Sequence, residues 1–251
     1  MSLFFDTHCH LVTPPLDNQL ESLLLPSLKD KFLTVGTVPS DWQATMKLAD
    51  YFPQVYSALG LHPWFVNQNF LTDLQLLENI LYSDDSITAL GEIGLDFSSN
   101  HRIFRQQQLS AFEMQIGFAK KFNLPVSIHC YKAYNETLQL LKLTSINGFM
   151  HGFSGGLELA KQFIKLGFMI GVNSVILNPN ARRYHQMVRG IGLAPLVIES
   201  DVPFVKNLNE YSPLLILEKV AQKVADILEC SVDEVVEQTR YNAQKILFKE
   251  H

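Results

Sequence analysis

The chain has 251 residues, 47% hydrophobic and 18% charged, with a net charge of −5 at pH 7. This is the composition of a globular protein long enough for one large buried core, which excludes a disordered or fibrous chain. The negative balance excludes a general polyanion binder, so any nucleic acid must be attracted locally.

Three scattered cysteines, Cys9, Cys130 and Cys230, are too few for a disulfide framework and suit a reducing compartment. No basic and apolar leader opens the chain, and no apolar run reaches the ~18 residues of a membrane span. The expectation is a soluble, cytoplasmic monomer with no membrane partner. One domain is expected over residues 1–251.

Strand and helix signals alternate along the chain. The strand candidates are Leu3–His8, Phe32–Val38, Val55–Leu61, Ile87–Ile93, Val126–His129, Gly148–His151, Phe168–Val172 and Leu196–Glu199. They read as continuous apolar runs, as parallel strands buried on both faces do. Helical periodicity fills the gaps at Gln19–Lys29, Asp41–Tyr51, Leu71–Tyr82, Phe104–Phe122, Tyr134–Leu143, Leu157–Leu166 and Ala181–Val188. Ser40 or Asp41 is the expected cap of the second of these. Two more helices, Pro213–Leu228 and Val232–Leu247, close the chain, the latter opening on a Ser231–Glu234 capping box. Eight alternations at this length predict an α/β (β/α)8 TIM barrel. A doubly wound open sheet is the alternative, but no Gly-x-Gly-x-x-Gly follows the first strand.

Polar residues gather where the strands end. His8 and His10 close the first strand, and side-chain period two puts both on one face with Cys9 opposite. Leu61-His62-Pro63-Trp64 closes the third, and Gly91-Glu92-Ile93-Gly94-Leu95-Asp96 the fourth. His129 ends the fifth, His151 the sixth, and Glu199-Ser200-Asp201 the eighth. In a barrel these ends share the rim where active sites are built. Five of the eight histidines fall there, and His101, His185 and His251 do not.

Imidazole with carboxylate suits a mixed nitrogen and oxygen metal site. His8, His10, Glu92, His129, His151 and Asp201 are six candidate ligands, more than one tetrahedral ion needs. They fit two divalent ions (Mg, Mn or Zn) about 3.5–4 Å apart, with Glu92 bridging and catalytic. Two such ions against Glu92 and Asp201 leave a local charge of about +2, which attracts a phosphodiester. Asp201 is the second catalytic candidate, placed to orient a water and take its proton.

These residues resemble the TatD-type metal-dependent deoxyribonucleases of the amidohydrolase-like barrels over almost the whole chain. Asp6-Thr7-His8-Cys9-His10-Leu11 is similar to the opening motif, Gly60-Leu61-His62-Pro63 to the second, and Gly91-Glu92-Ile93-Gly94-Leu95-Asp96 to the most specific. Leu124-Pro125-Val126-Ser127-Ile128-His129, His151-Gly152-Phe153-Ser154-Gly155 and Thr239-Arg240-Tyr241-Asn242-Ala243 match further stretches. The resemblance implies metal ligation by the same six residues. It also implies hydrolysis of DNA phosphodiesters, usually from a 3′ end (a 3′–5′ exonuclease), with DNA as partner, single-stranded or at its 3′ ends.

Two departures stand out. The family commonly has an arginine soon after the fifth-strand histidine, where this chain has Cys130-Tyr131-Lys132; lysine offers a point charge, not a fork. Glu199-Ser200-Asp201-Val202-Pro203 is a conservative variant of the last motif. His62 and Lys132 are the candidate substrate contacts. Trp64 and Phe65 suit base stacking, and Lys132, Arg182, Arg183 and Lys206 a backbone track. Asp96 and Glu199 serve either as supports behind ligand histidines or as plain structural groups. The glycines 152, 155 and 156 either form a plain strand–helix turn, the commoner case, or offer backbone amides to phosphate.

Two rival readings differ in class. One is an amidohydrolase-like enzyme acting on a small-molecule ester, lactone or amide. Many of those carry a bridging carbamylated lysine at strand four, and this chain has none between Tyr82 and Arg102. The other is a non-catalytic metal-binding barrel, which an intact ligand set disfavours.

Overall fold

The eight apolar runs form eight parallel strands, β1 (Phe5–Cys9), β2 (Lys31–Gly36), β3 (Val55–Leu59), β4 (Ala89–Asp96), β5 (Val126–Tyr131), β6 (Gly148–Met150), β7 (Phe168–Val172) and β8 (Leu196–Ile198). They belong to a computed structural model that describes residues 3–25, 28–205 and 212–248. The strands lie side by side in chain order. Between and after them run α1 (Leu20–Leu24), α2 (Pro39–Tyr51), α3 (Phe70–Ser83), α4 (Arg105–Phe122), α5 (Tyr134–Leu141), α6 (Leu157–Lys165), α7 (Arg182–Ile191), α8 (Pro213–Leu228) and α9 (Val232–Phe248). Among the described residues no helix is long and apolar enough to cross a membrane.

Two apolar layers hold this arrangement. The larger packs strand residues such as Phe32, Leu59, Leu90 and Ile128 against the helices. The smaller joins Phe5, Leu33, Val35, Ala58, Ala89, Phe149 and Val197 to Ala243, Ile246 and Leu247 of α9. Apolar side chains thus fill the barrel, as in a packed (β/α)8 core.

The barrel closes at a seam between its first and last strands. Asp201 N donates to His8 O at 2.9 Å, and His10 N to Val202 O at 2.8 Å. Thr7 Oγ1 donates to Ile198 O at 3.1 Å. Buried Asp6 accepts from both the backbone N–H and the hydroxyl of Ser200. Ligand candidates from the two ends of the chain are therefore fixed beside one another.

Two strands carry an extra residue. The pairing register slips between Asp6 and Cys9 in β1, and between Leu90 and Ile93 in β4. Such bulges re-aim side chains beside sites. They moderate the simple period-two reading: His8 and His10 do converge, but His10 lies just past the end of β1. Cys9 points away, with its Sγ toward Leu33 O.

Most expected elements stand within a few residues of their sequence bounds. α1 is shorter than Gln19–Lys29, and residues 26 and 27 of that span lie outside the described ones. Asp41 is not a cap residue but sits in the first turn of α2. Its carboxylate accepts from Thr37 N and Thr37 Oγ1, so it reaches back to tie down the entering chain. The Ser231–Glu234 box is present, with Ser231 N donating to Glu234 Oε2 at 2.8 Å and Glu234 N to Ser231 Oγ at 3.2 Å.

Candidate metal centre

The strand ends meet at a cavity of about 220 Å³ lined by His10, His62, Glu92, His129, His151 and Asp201, with Thr13, Thr37, Trp64, Phe65 and Phe204 toward its mouth. Glu92 is at the middle. Its carboxylate lies 3.3 Å from His8 Nε2, 3.7 Å from His10 Nε2, 3.3 Å from His62 Nε2, 3.0 Å from His129 Nδ1 and 3.9 Å from His151 Nε2. Asp201 Oδ1 stands 3.7 Å from His10 Nε2 and 3.8 Å from His151 Nε2. All six candidate ligands are thus brought to one place.

The outward-facing ring nitrogens tell which inner ones are bare. His8 Nδ1 faces Ser127 Oγ at 2.9 Å. His129 Nε2 faces Asp96 Oδ2 at 3.2 Å, and His151 Nδ1 faces Glu199 Oε1 at 3.0 Å. In the neutral rings an N–H turned to the outer partner leaves the inner nitrogen as a lone pair toward Glu92, although His151 Nδ1 lies beside Glu199 without a hydrogen bond. This is the carboxylate–histidine arrangement that fixes metal ligands. Asp96 and Glu199 are therefore supports. Asp96 also holds its own loop, accepting from Ser98 N at 2.8 Å and Trp64 Nε1 at 2.6 Å.

His62 behaves otherwise. Trp64 N donates to His62 Nδ1 at 3.1 Å. In neutral imidazole the other nitrogen then carries the proton, so Nε2–H points at Glu92. His62 is a donor in the cavity, in keeping with the substrate role expected of it.

The residues fit a bound cation. His8 Nε2 and His10 Nε2 face each other at 3.3 Å beside Glu92 Oε2, with two lone pairs and an anion converging on one point. Glu199 Oε2 is buried without a hydrogen-bond partner. The cavity lining holds four histidines and two carboxylates, with no lysine or arginine. Neutral ligand nitrogens and uncompensated buried carboxylates are what divalent ions satisfy. Ligand atoms within 4.8 Å of one another form three groups that could hold an ion: His8, His10 and Glu92; His8, His151 and Asp201; and His62, Glu92 and His129.

Charge inside the cavity follows from burial and neighbours. Burial works to raise Glu92, yet His62, His8 and His129 hold it well below the usual carboxylate range. Burial pushes Asp201 up to about 7, against the pull of His151. Burial lowers His8 well below its ordinary value and His10 to about 4. His151 resists burial because Glu199 and Asp201 face it, and it rises to about 10. The protein without metal keeps a proton on His151, which a metal must displace. Asp96 and Glu199 add two carboxylates to the two counted from sequence. With all four ionised, two divalent ions would bring the cluster near neutrality rather than to +2.

Other expectations sort by place. Lys132 lies outside the cavity, exposed at the end of β5 with φ of 55°, in an adjoining groove. Trp64 and Phe65 stand half-exposed at the mouth, where stacking is possible. The Gly152 amide is taken by Glu199 Oε1 at 2.7 Å and does not face outward to phosphate. The Arg183 guanidinium packs against Gly156. Lys206 and His251 lie outside the described residues. His101 was not expected at the rim, yet its ring stacks on Trp64 with centroids 5.3 Å apart. The loop after β4 folds back over the mouth, which strand positions alone do not reveal.

Sequence reasoning gave no role to Ser127, Asp6, Gln108 and Gln115. Ser127 lies two residues before His129, so strand periodicity was a usable signal. Gln115 pairs its side-chain amide with both backbone groups of Leu61, at 2.7 and 3.2 Å. Gln108 accepts from Asp96 N at 2.9 Å and donates to His101 O at 3.0 Å. Gly171 leaves room for Glu199, whose Oε2 would collide with any Cβ there.

Known proteins resemble the chain over most of its length. A family model described as TatD related DNase matches residues 5–248. The chain is 32% identical over 206 residues to the uncharacterized metal-dependent hydrolase YjjV of Escherichia coli K12, covering 80% of this chain and 79% of that protein. It is 28% identical to human deoxyribonuclease TATDN3, covering 97% and 94%. The crystal structure of the E. coli YjjV, a TatD homologue, matches with a TM-score of 0.88 at 27% identity over 98% of each chain.

Proposed function

Because the chain belongs to the TatD-related DNase family, and is by that a metal-dependent hydrolase of the TatD type, we propose that it is a deoxyribonuclease acting from the 3′ end. The observation that carries this reading is the convergence of five histidines on Glu92 in a cavity with Asp201 at its open side. A human relative named as a deoxyribonuclease supports the substrate class. The six ligand candidates and the two-ion stoichiometry belong to the same proposal.

A divalent pair held by these residues would acidify a water and offset charge on the displaced oxygen. The chain's own groups do the rest. Asp201, the most exposed carboxylate of the set, faces the cavity where it can orient a water and hold its proton. His62 donates from Nε2 toward a phosphoryl oxygen, held in that tautomer by the Trp64 amide. Trp64, Phe65 and Phe204 line the mouth and offer ring faces to a terminal base.

The test is degradation of a 3′-labelled single-stranded oligonucleotide with Mg2+, Mn2+ or Zn2+, with chelator, and with Glu92→Ala as control. Metal-dependent release of the label by the native protein is expected. Glu92→Ala should lose at least a thousandfold in turnover, because its removal leaves the histidines without their shared carboxylate. No release with any metal, in protein shown to hold metal, would sink the nuclease reading in favour of a small-molecule ester or amide. Near-normal turnover by the variant would sink Glu92 as the bridge.

A further inference from the structure

The central cavity has no lysine or arginine in its lining. Four carboxylates, Glu92, Asp96, Glu199 and Asp201, lie in or behind it, and the whole chain carries −5. Attraction for a polyanion must then come from beside the cavity.

A second depression, of about 580 Å³, adjoins it, with Phe97, Arg102, Ile103, Arg105, Lys132 and Glu136 in its walls. Three cations face one anion there. Of the three, only Arg105 is ion-paired among the described residues, to Glu136. Its guanidinium also lies 4.5 Å over the Phe97 ring, so it is fixed from two sides. Arg102 and Lys132 are exposed, and no ion pair to a described residue engages either.

The two spaces have no lining residue in common, but residues adjacent in the chain and in contact link them. Phe97 follows Asp96, whose carboxylate touches His129 and Trp64. Phe97 N donates to Tyr131 O at 2.9 Å, tying the loop after β4 to the end of β5. His101, next to Arg102, stacks on Trp64 at the cavity mouth. Ile103 in the groove is 79% exposed, and Tyr131 beside it is 44% exposed with Lys132 Nζ 5.4 Å from its ring centroid. Basic side chains interleaved with exposed rings make a surface for a single strand, with phosphates on the cations and bases on the rings.

We propose that this groove binds the backbone of a single-stranded nucleic acid whose end enters the cavity. Arg102 and Lys132 take phosphates, with Arg105 as the fixed wall, and Tyr131 and Trp64 stack bases. The strand leaves the cavity over the loops after β4 and β5, and not toward Arg182 and Arg183. The inference rests on the reading of the protein as a phosphodiester hydrolase.

The experiment is fluorescence anisotropy with metal-loaded protein and phosphorothioate-linked oligothymidylates of three, six and twelve nucleotides, which resist hydrolysis. Native protein should bind longer strands more tightly until the groove is filled. Arg102→Glu with Lys132→Glu should weaken the twelve-mer at least tenfold and reduce the slope of log affinity against log salt by about 1 to 2. Arg102→Ala should show a smaller loss in the same direction. Lys219→Glu, a single such charge reversal on α8, should stay within twofold. Equal binding by native and doubly substituted protein would overturn the groove, as would an equal loss with Lys219→Glu. No binding of any strand by native protein would overturn it too. Hydrolysis of a dinucleotide by native protein is measured in parallel. Its absence, with groove-dependent binding intact, would overturn the hydrolase reading and leave the groove standing.

Discussion

Glu92 faces five imidazoles within 3.9 Å, and His8, His62, His129 and His151 each have a neighbour at the other ring nitrogen. The residues of the centre are thus set in a fixed protonation pattern before any ion arrives. His10 makes this measurable. Burial lowers its pKa to about 4, the nearby Glu92 carboxylate opposing that and His151 and His62 adding to it. In the unfolded chain it titrates near 6.5. A lowered folded pKa means stability present above 6.5 and lost as pH falls toward 4, because the unfolded chain takes up a proton that the fold refuses. In chelator, urea unfolding of the native protein should therefore lose about 2 kcal/mol relative to His10→Asn between pH 7 and pH 5. A difference that stays flat over that range would contradict the burial of a neutral His10. The six ligand candidates were legible in sequence because strand ends and short motifs expose them. Asp96 and Glu199 stayed ambiguous because their partners, His129 and His151, lie 33 and 48 residues away, distances that no motif spans. Ser127 was hidden because serine in a strand is unremarkable until a histidine nitrogen faces it.

α4 is the element that steadies the rim. It carries two buried glutamines, seven residues and about two turns apart, each clamping the backbone of a different strand end. Gln115 holds Leu61, and so places His62; Gln108 holds Asp96, and so places His129. Gln115→Leu should leave both backbone groups of Leu61 without their partner. A destabilisation of about 3 kcal/mol is expected in urea unfolding, from two buried groups at ~1–3 kcal/mol each. Steady-state kinetics should show KM rising severalfold more than kcat falls, as expected for a shifted substrate donor. Unchanged stability would mean that water replaces the amide, and an unchanged KM would disconnect α4 from His62. The strands were readable at this scale because both faces are apolar, which periodicity detects. The clamps were not. A glutamine on a helix reads as solvent-facing, and only the fold shows that this face of α4 lies against β4. α1 was overread for a related reason, since Leu20 to Leu28 is apolar enough to suggest a longer helix than the five residues that form one.

The molecule as a whole carries a centre that gathers buried carboxylates and imidazoles a cation would bind, so ligand removal should be felt globally. At a free metal concentration of a hundred times Kd, binding stabilises a fold by about 2.7 kcal/mol. For a chain of this size that corresponds to roughly 5–10 °C in Tm. Thermal unfolding with and without chelator should show that drop, recovered on adding metal back and absent in Glu92→Ala. A Tm indifferent to chelator and metal would count against a metal centre built from these residues. The seam adds something of another kind. Asp6 and Ser200, 194 residues apart, tie the first strand to the turn that carries Asp201. On a ribosome adding roughly 5–20 residues per second, His8 and His10 emerge on the order of ten to forty seconds before Asp201 exists. Throughout that interval the nascent chain has neither a closed barrel nor a complete set of ligands. The centre is thereby kept incomplete until the last strand is made, by nothing more than the order in which the strands are made.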